Sequence, residues 1–164
     1  MQLKQIARDA LLKPLQAVAG IVERRHTLPI LANVLLEQKG SALHVTATDL
    51  EMQITAVADL PGKDGQATTV AARKLQDLLR ALPDDATLNV EATGNKMTVR
   101  AGRSRFNLQT MAAADYPRIS LGTEQLQTLS LPQKDMRGLL KLAEFAMAQQ
   151  DIRYYLNGML LVID

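Results

Sequence analysis

Asp49 and Glu51 lie two residues apart in the segment TDLEM, residues 48–52, the place where this 164-residue chain comes nearest to a reactive pair. Two carboxylates on one face of an extended segment can hold a divalent ion or share acid and base work. An Asp at a tight bend more often accepts hydrogen bonds from backbone amides just downstream, and the bend expected here favours that structural role. The two histidines are His26, in a loop, and His44, in mid-strand; neither has an evident partner. The absence of cysteine removes disulfides, thiolate nucleophiles and Cys-ligated metal centres. No Gly-rich phosphate loop, nucleophile elbow or zinc spacing is present. The residue types therefore speak against an enzyme and supply no metal or cofactor site.

Hydrophobic periodicity shows what must position the remaining polar residues, and it switches repeatedly between strand and helix periods. LKQIA opens as a strand. Residues 8–22 follow with a helical stripe of Leu11, Leu15, Val18 and Val22. Pro14 removes a backbone hydrogen bond there and predicts a late or bent start. Strands are expected over 30–38, 42–50 and 52–60, then a loop at PGKDG. The cycle restarts with a strand at 67–72 and a helix at 73–82 whose core side is Leu75, Leu78, Leu79 and Leu82. Strands at 86–93, 96–102 and 104–111 follow, the first two joined by a Gly94-Asn95 turn. A linker over 115–125 leads to a third round: a strand to residue 132, a helix over 133–149, and a closing strand. Met136, Leu139, Leu140, Ala143 and Met147 should face inward on that helix. The order implies an α+β fold, with helices on one face of antiparallel sheets.

The third round repeats the first. Leu31, Leu35 and Leu36 recur 125 residues later as Leu156, Leu160 and Leu161, and the gapless shift also places Ile6 on Leu131 and Leu15 on Leu140. A weaker shift of 64 places Val70, Leu75 and Leu79 on Ile6, Leu11 and Leu15. The expected organisation is one domain over residues 1–122, built from two β-α-β-β-β units. Residues 126–164 then supply only the first strand, helix and strand of a second such domain. On this reading the chain is a fragment of a longer protein, ending on an unpaired apolar strand.

Net charge is only +2, but its placement recurs. The outward helix positions are Arg8, Lys13 and Gln16, then Arg73, Lys74, Gln76, Asp77 and Arg80, then Arg137, Lys141 and Glu144, with Arg24 and Arg25 just past the first helix. Lys and Arg displayed this way suit sequence-independent, salt-sensitive contacts to phosphates, and no element reads base edges. The shift of 125 places Arg25 on Gln150. Tyr154 and Tyr155 follow in the expected strand, where one should pack and one project. No apolar run approaches the roughly 20 residues needed to span a bilayer, and the composition suits a reducing cytoplasm.

The segments LLKPLQAV, TLPILANVLLE, TDLEM, TTVAARKLQDLLRALP, VRAGRSRFNLQTM, AADYP and AMAQQDIRYYLNGML resemble the bacterial DNA polymerase III β subunit family of sliding clamps, nearly end to end. The resemblance implies a DNA-clamp fold with sheets outside and helices inside. It also implies a homodimer ring around double-stranded DNA and partnership with a polymerase and a clamp loader, without catalysis or cofactor. By motif, DNA would be contacted by Arg25 or its neighbour Arg24, by Arg73, Gln150, Tyr154 and Tyr155, with Arg80 beside them. Ring closure would use Phe106 and Leu108 with Leu78 for apolar packing, and Lys74, Arg103 and Arg105 for charge. The competing class is a protein–protein scaffold without a nucleic-acid role, in which SRFNLQT is a docking edge.

Overall fold

The computed structural model describes residues 1–22, 28–119, 129–149 and 151–162. The chain divides into two compact units, Met1–Leu121 and Gly122–Asp164.

In the first unit, β1 (Gln2–Ala7) runs directly into α1 (Arg8–Val18). The helix starts at once rather than late: the Arg8 backbone N–H donates to the Ala86 carbonyl at 2.9 Å, and Asp9 supplies the negative charge that a first turn favours. Pro14 sits inside the helix with its ring buried, so apolar packing offsets the hydrogen bond it lacks. The segment after α1 departs from expectation. Pro29–Ala32 forms a 3-10 turn, and β2 begins only at Asn33. Proline at the start of the turn presets its backbone angle and has no N–H to give a strand ladder.

The strands β2 (Asn33–Lys39), β3 (Ala42–Thr48) and β4 (Gln53–Ala58) form one antiparallel meander. After β5 (Ala67–Ala71) and α2 (Ala72–Arg80), a second meander follows: β6 (Thr87–Thr93), β7 (Lys96–Ala101) and β8 (Ser104–Met111). Gly94 takes φ +59° in the β6–β7 turn, a conformation that penalises a side chain.

The eight strands make one sheet in the order β1-β6-β7-β8-β5-β2-β3-β4. Each repeat lends its first strand to the other repeat's meander. β1 pairs with β6, Ile6 opposite Leu88, and β5 pairs with β2, Val34 opposite Val70. Neither half can complete its hydrogen bonds alone, so the two repeats form one cooperative body. α1 packs on β3 and β4 and against α2. Leu11, Leu15, Leu75 and Leu79 are fully buried between helices and sheet, while Leu78 and Leu82 pack at the margin of this core.

Tyr116 ties the segment after β8 to the first meander. It is buried, and its hydroxyl is within hydrogen-bonding distance of the Asn33 and Thr46 carbonyls at 3.3 and 3.4 Å. Burial pushes its pKa up from the ordinary tyrosine value. Tyr116→Phe should lower the stability of this unit by about 1 kcal/mol, the net worth of one such bond, read from the urea midpoint. An unchanged midpoint would mean that the hydroxyl holds nothing.

The second unit contains α3 (Gln133–Ala143), a 3-10 turn at Glu144–Ala146 and another at Tyr154–Asn157. Among its described residues there is no strand, so the expected closing strand is not formed, and residues 129–132 are likewise outside any ladder. Strand hydrogen bonds need a neighbouring segment, and the described residues supply none. For the same reason the expected inward face of α3 stays open. Met136, Leu139, Leu140 and Ala143, with Met159–Val162, line an apolar cleft of about 390 Å³, and no described residue of this unit is buried.

Candidate nucleic-acid interface

Helix α2 carries the described part of the basic face. Its core side is occupied by Ala72, Leu75 and Leu79, which turns Arg73, Lys74, Asp77 and Arg80 outward. Arg73 and Arg80 are seven residues apart, about two turns, and so lie along one stripe roughly 10 Å long. Neither is in an ion pair among the described residues. The helix opens at Ala71 with no side-chain cap, and its first turn holds Arg73 and Lys74 and no acid. Cations there face the positive end of the helix dipole, an arrangement that an anion relieves. On α1, Lys13 and Gln16 are exposed, as expected.

Arg8 is a correction. It does not join the solvent face; it is buried, 8% exposed. Its guanidinium reaches the Leu82 carbonyl at 2.9 Å, Asp84 at 2.8 Å and Asp9 at 2.8 Å. Hydrogen bonding to Asp9 raises its pKa further above the usual arginine value. Arg8 thus joins the start of α1 to the exit of α2, and it stands in for an apolar residue. The signal was in the spacing: Arg8, Leu11, Leu12 and Leu15 form one helical stripe at i, i+3, i+4 and i+7.

Asp49 has the structural role expected of it. Its Oδ1 accepts the Glu51 and Met52 amides at 3.0 and 2.7 Å, and this holds Leu50 at φ +82°. Glu51 is exposed at the bend, and the described residues bring no three His, Asp or Glu side chains together in a metal-binding cluster. His44, on β3, is half-buried opposite Glu37.

A second surface lies along β8. Beyond Thr69–Met111 and Val70–Thr110, β5 does not pair with β8, which leaves Ser104–Gln109 with a free edge among the described residues. Phe106 is 36% exposed, Leu108 is half-buried against the core with Leu78, and Arg103 and Arg105 are exposed. Arg105 stands directly opposite Arg100 on β7, a like-charge pair that disfavours the sheet locally.

Arg24, Arg25, His26 and Gln150 lie outside the described residues. Tyr154 and Tyr155 are described, and they correct the expectation of alternating strand residues. Both sit on the 3-10 turn and both are exposed, 83% and 68%, with ring centroids 6.0 Å apart and planes at 78°. A turn places neighbouring side chains on the same side more readily than a strand does.

The model of the DNA polymerase III beta subunit, N-terminal domain, matches residues 1–120. A beta sliding clamp of Pseudomonas putida is 51% identical over 160 residues, 96% of this chain and 43% of that protein. That of Escherichia coli K12 is 47% identical over 156 residues, 94% of this chain and 42% of that protein. The crystal structure of the DNA polymerase III subunit beta from Pseudomonas aeruginosa superimposes with a TM-score of 0.87 at 48% identity, covering 97% of this chain and 43% of that one. A pol III beta structure from Caulobacter crescentus gives 0.86 at 37% identity, covering 96% and 42%. The chain thus spans less than half the length of the relatives it matches. With its exchanged first strands, paired helices and single antiparallel sheet, the chain belongs to the DNA polymerase III beta subunit family.

Proposed function

We propose that this chain is the N-terminal part of a processivity clamp for a replicative DNA polymerase. The whole protein closes as a homodimer ring around double-stranded DNA and slides along it. The observation that carries the reading is the α2 stripe: Arg73 and Arg80 project from a helix packed beside α1, with no carboxylate partner among the described residues. Cations arranged this way hold phosphates without reading bases, so no register along the duplex is preferred and sliding is permitted. Arg25 or Arg24, Gln150, Tyr154 and Tyr155 complete the DNA contacts in this proposal. The domains are residues 1–122 and the opening of a second over 126–164.

The edge of β8 supports ring closure. An edge bearing Arg103 and Arg105, with Lys74 exposed on α2, repels a copy of itself. It fits a different, acidic edge on the partner, and such heterologous, head-to-tail contacts generate rings. Lys74, Leu78, Phe106 and Leu108 belong to the same contact. The protein works without chemistry or cofactor of its own, in the cytoplasm, beside its polymerase and a clamp loader. No helix among the described residues is long and apolar enough to cross a membrane.

The test uses the full-length protein loaded on nicked circular duplex DNA. It should stay bound through gel filtration and be lost once the circle is cut to linear form. Equal retention on the two forms would rule out encirclement, and retention on neither would leave a scaffold that docks through the β8 edge.

A further inference from the structure

The loop that carries the two tyrosines is closed on itself. The Asp151 backbone N–H donates to Asn157 Oδ1 at 3.1 Å, and Asn157 Nδ2 donates back to the Asp151 carbonyl at 3.1 Å. The Asp151 carboxylate receives three further bonds from Arg153: its backbone N–H at 2.8 Å, Nε at 3.1 Å, and a terminal guanidinium nitrogen at 3.0 Å on the second oxygen. The Ala148 N–H donates to the Leu156 carbonyl at 2.9 Å, closing the base of the loop. No apolar core holds this segment, since no described residue of the second unit is buried. Its conformation rests on these polar bonds.

An exposed arginine beside a candidate DNA contact invites assignment as a phosphate ligand. Here its planar fork is already committed, in bidentate fashion, to Asp151, and the pair carries no net charge. Two exposed aromatic rings on an unsupported turn would have to be ordered during binding, which lowers affinity; rings ordered beforehand avoid that loss.

We propose that Asp151, Arg153 and Asn157 are positioning residues that lock residues 151–157 and hold Tyr154 and Tyr155 in one presentation toward DNA, with Arg153 bound to Asp151 rather than to phosphate. This rests on the reading of the tyrosine pair as a DNA contact. Hydrogen bonding from Arg153 keeps the Asp151 carboxyl below the ordinary carboxylate range, so the lock persists at mildly acidic pH and opens only as the pH falls through that lowered value.

The sign of one substitution separates the lock from simple electrostatics. Asp151→Asn removes a negative charge, and an otherwise unchanged protein would then bind DNA more tightly. The lock requires the opposite. The full-length protein is titrated with a fluorescein-labelled circular duplex at low salt, and amide exchange is followed at Arg153. Asp151→Asn and Asn157→Ala should each weaken binding about fivefold and speed exchange at Arg153. Arg153→Lys, which keeps the charge but not the fork, should weaken it similarly with the salt slope unchanged. In a Tyr154→Ala/Tyr155→Ala background, Asp151→Asn should produce no further loss, because its effect passes through the rings. Equal or tighter binding by Asp151→Asn, or full affinity in Arg153→Lys, overturns the inference while the DNA reading stands. A full-length parent that does not bind the circular duplex, or a double tyrosine variant that binds as the parent does, overturns the reading beneath it.

Discussion

Leu15→Ala should destabilise the first unit by about 3 kcal/mol, the usual loss for emptying a fully packed leucine site. Leu140→Ala, at the same position of the repeat 125 residues later, should change stability by less than about 0.5 kcal/mol. The two residues occupy equivalent positions of α1 and α3, each the eighth residue of its helix. Leu15 is 0% exposed in the core beneath α1, a helix packed on β3, β4 and α2, whereas Leu140 is 43% exposed over an open cleft. The same side chain on the same helix face thus differs in energy because of what covers it. Urea denaturation of the two variants, with the midpoint compared at constant slope, measures the difference. Equal losses would mean that the α3 stripe is covered in solution by something other than solvent.

The second large effect concerns binding. Arg73→Ala with Arg80→Ala should weaken duplex binding about tenfold near 50 mM salt. The slope of log affinity against log salt should also become shallower by roughly 2, close to 0.9 for each phosphate contact removed. The loss should be the same for any duplex sequence, since neither residue lies on an element that reads base edges. Both side chains are exposed and unpaired among the described residues, so their removal leaves the core and the ion-pair network intact, and the urea midpoint should not move. A loss independent of salt would assign the effect to folding; an unchanged slope would remove these two arginines from the interface.

Much of this protein was legible in its sequence, and the reason is local. The shift of 125 aligns three successive elements residue for residue: α1 (Arg8–Val18) with α3 (Gln133–Ala143), Ala19–Ile21 with Glu144–Ala146, and Pro29–Ala32 with Tyr154–Asn157. Helices and tight turns satisfy their hydrogen bonds within a few residues, so a repeated sequence rebuilds them even where no strand lies alongside among the described residues. The Asp49 bend, the Gly94 turn and the outward positions of Arg73 and Arg80 were readable on the same ground.

What only the tertiary structure decided is everything that depends on distant segments. The exchange of β1 and β5 between the two repeats and, among the described residues, the free edge of β8 and the absence of strands in the second unit are all set by which segment lies alongside, and strand periodicity carries no record of its partner. Burial of Arg8 belongs here too: its helical stripe marked an inward position, but the Leu82 carbonyl and Asp84 that make an inward charge tolerable come from the other repeat, more than 70 residues away along the chain.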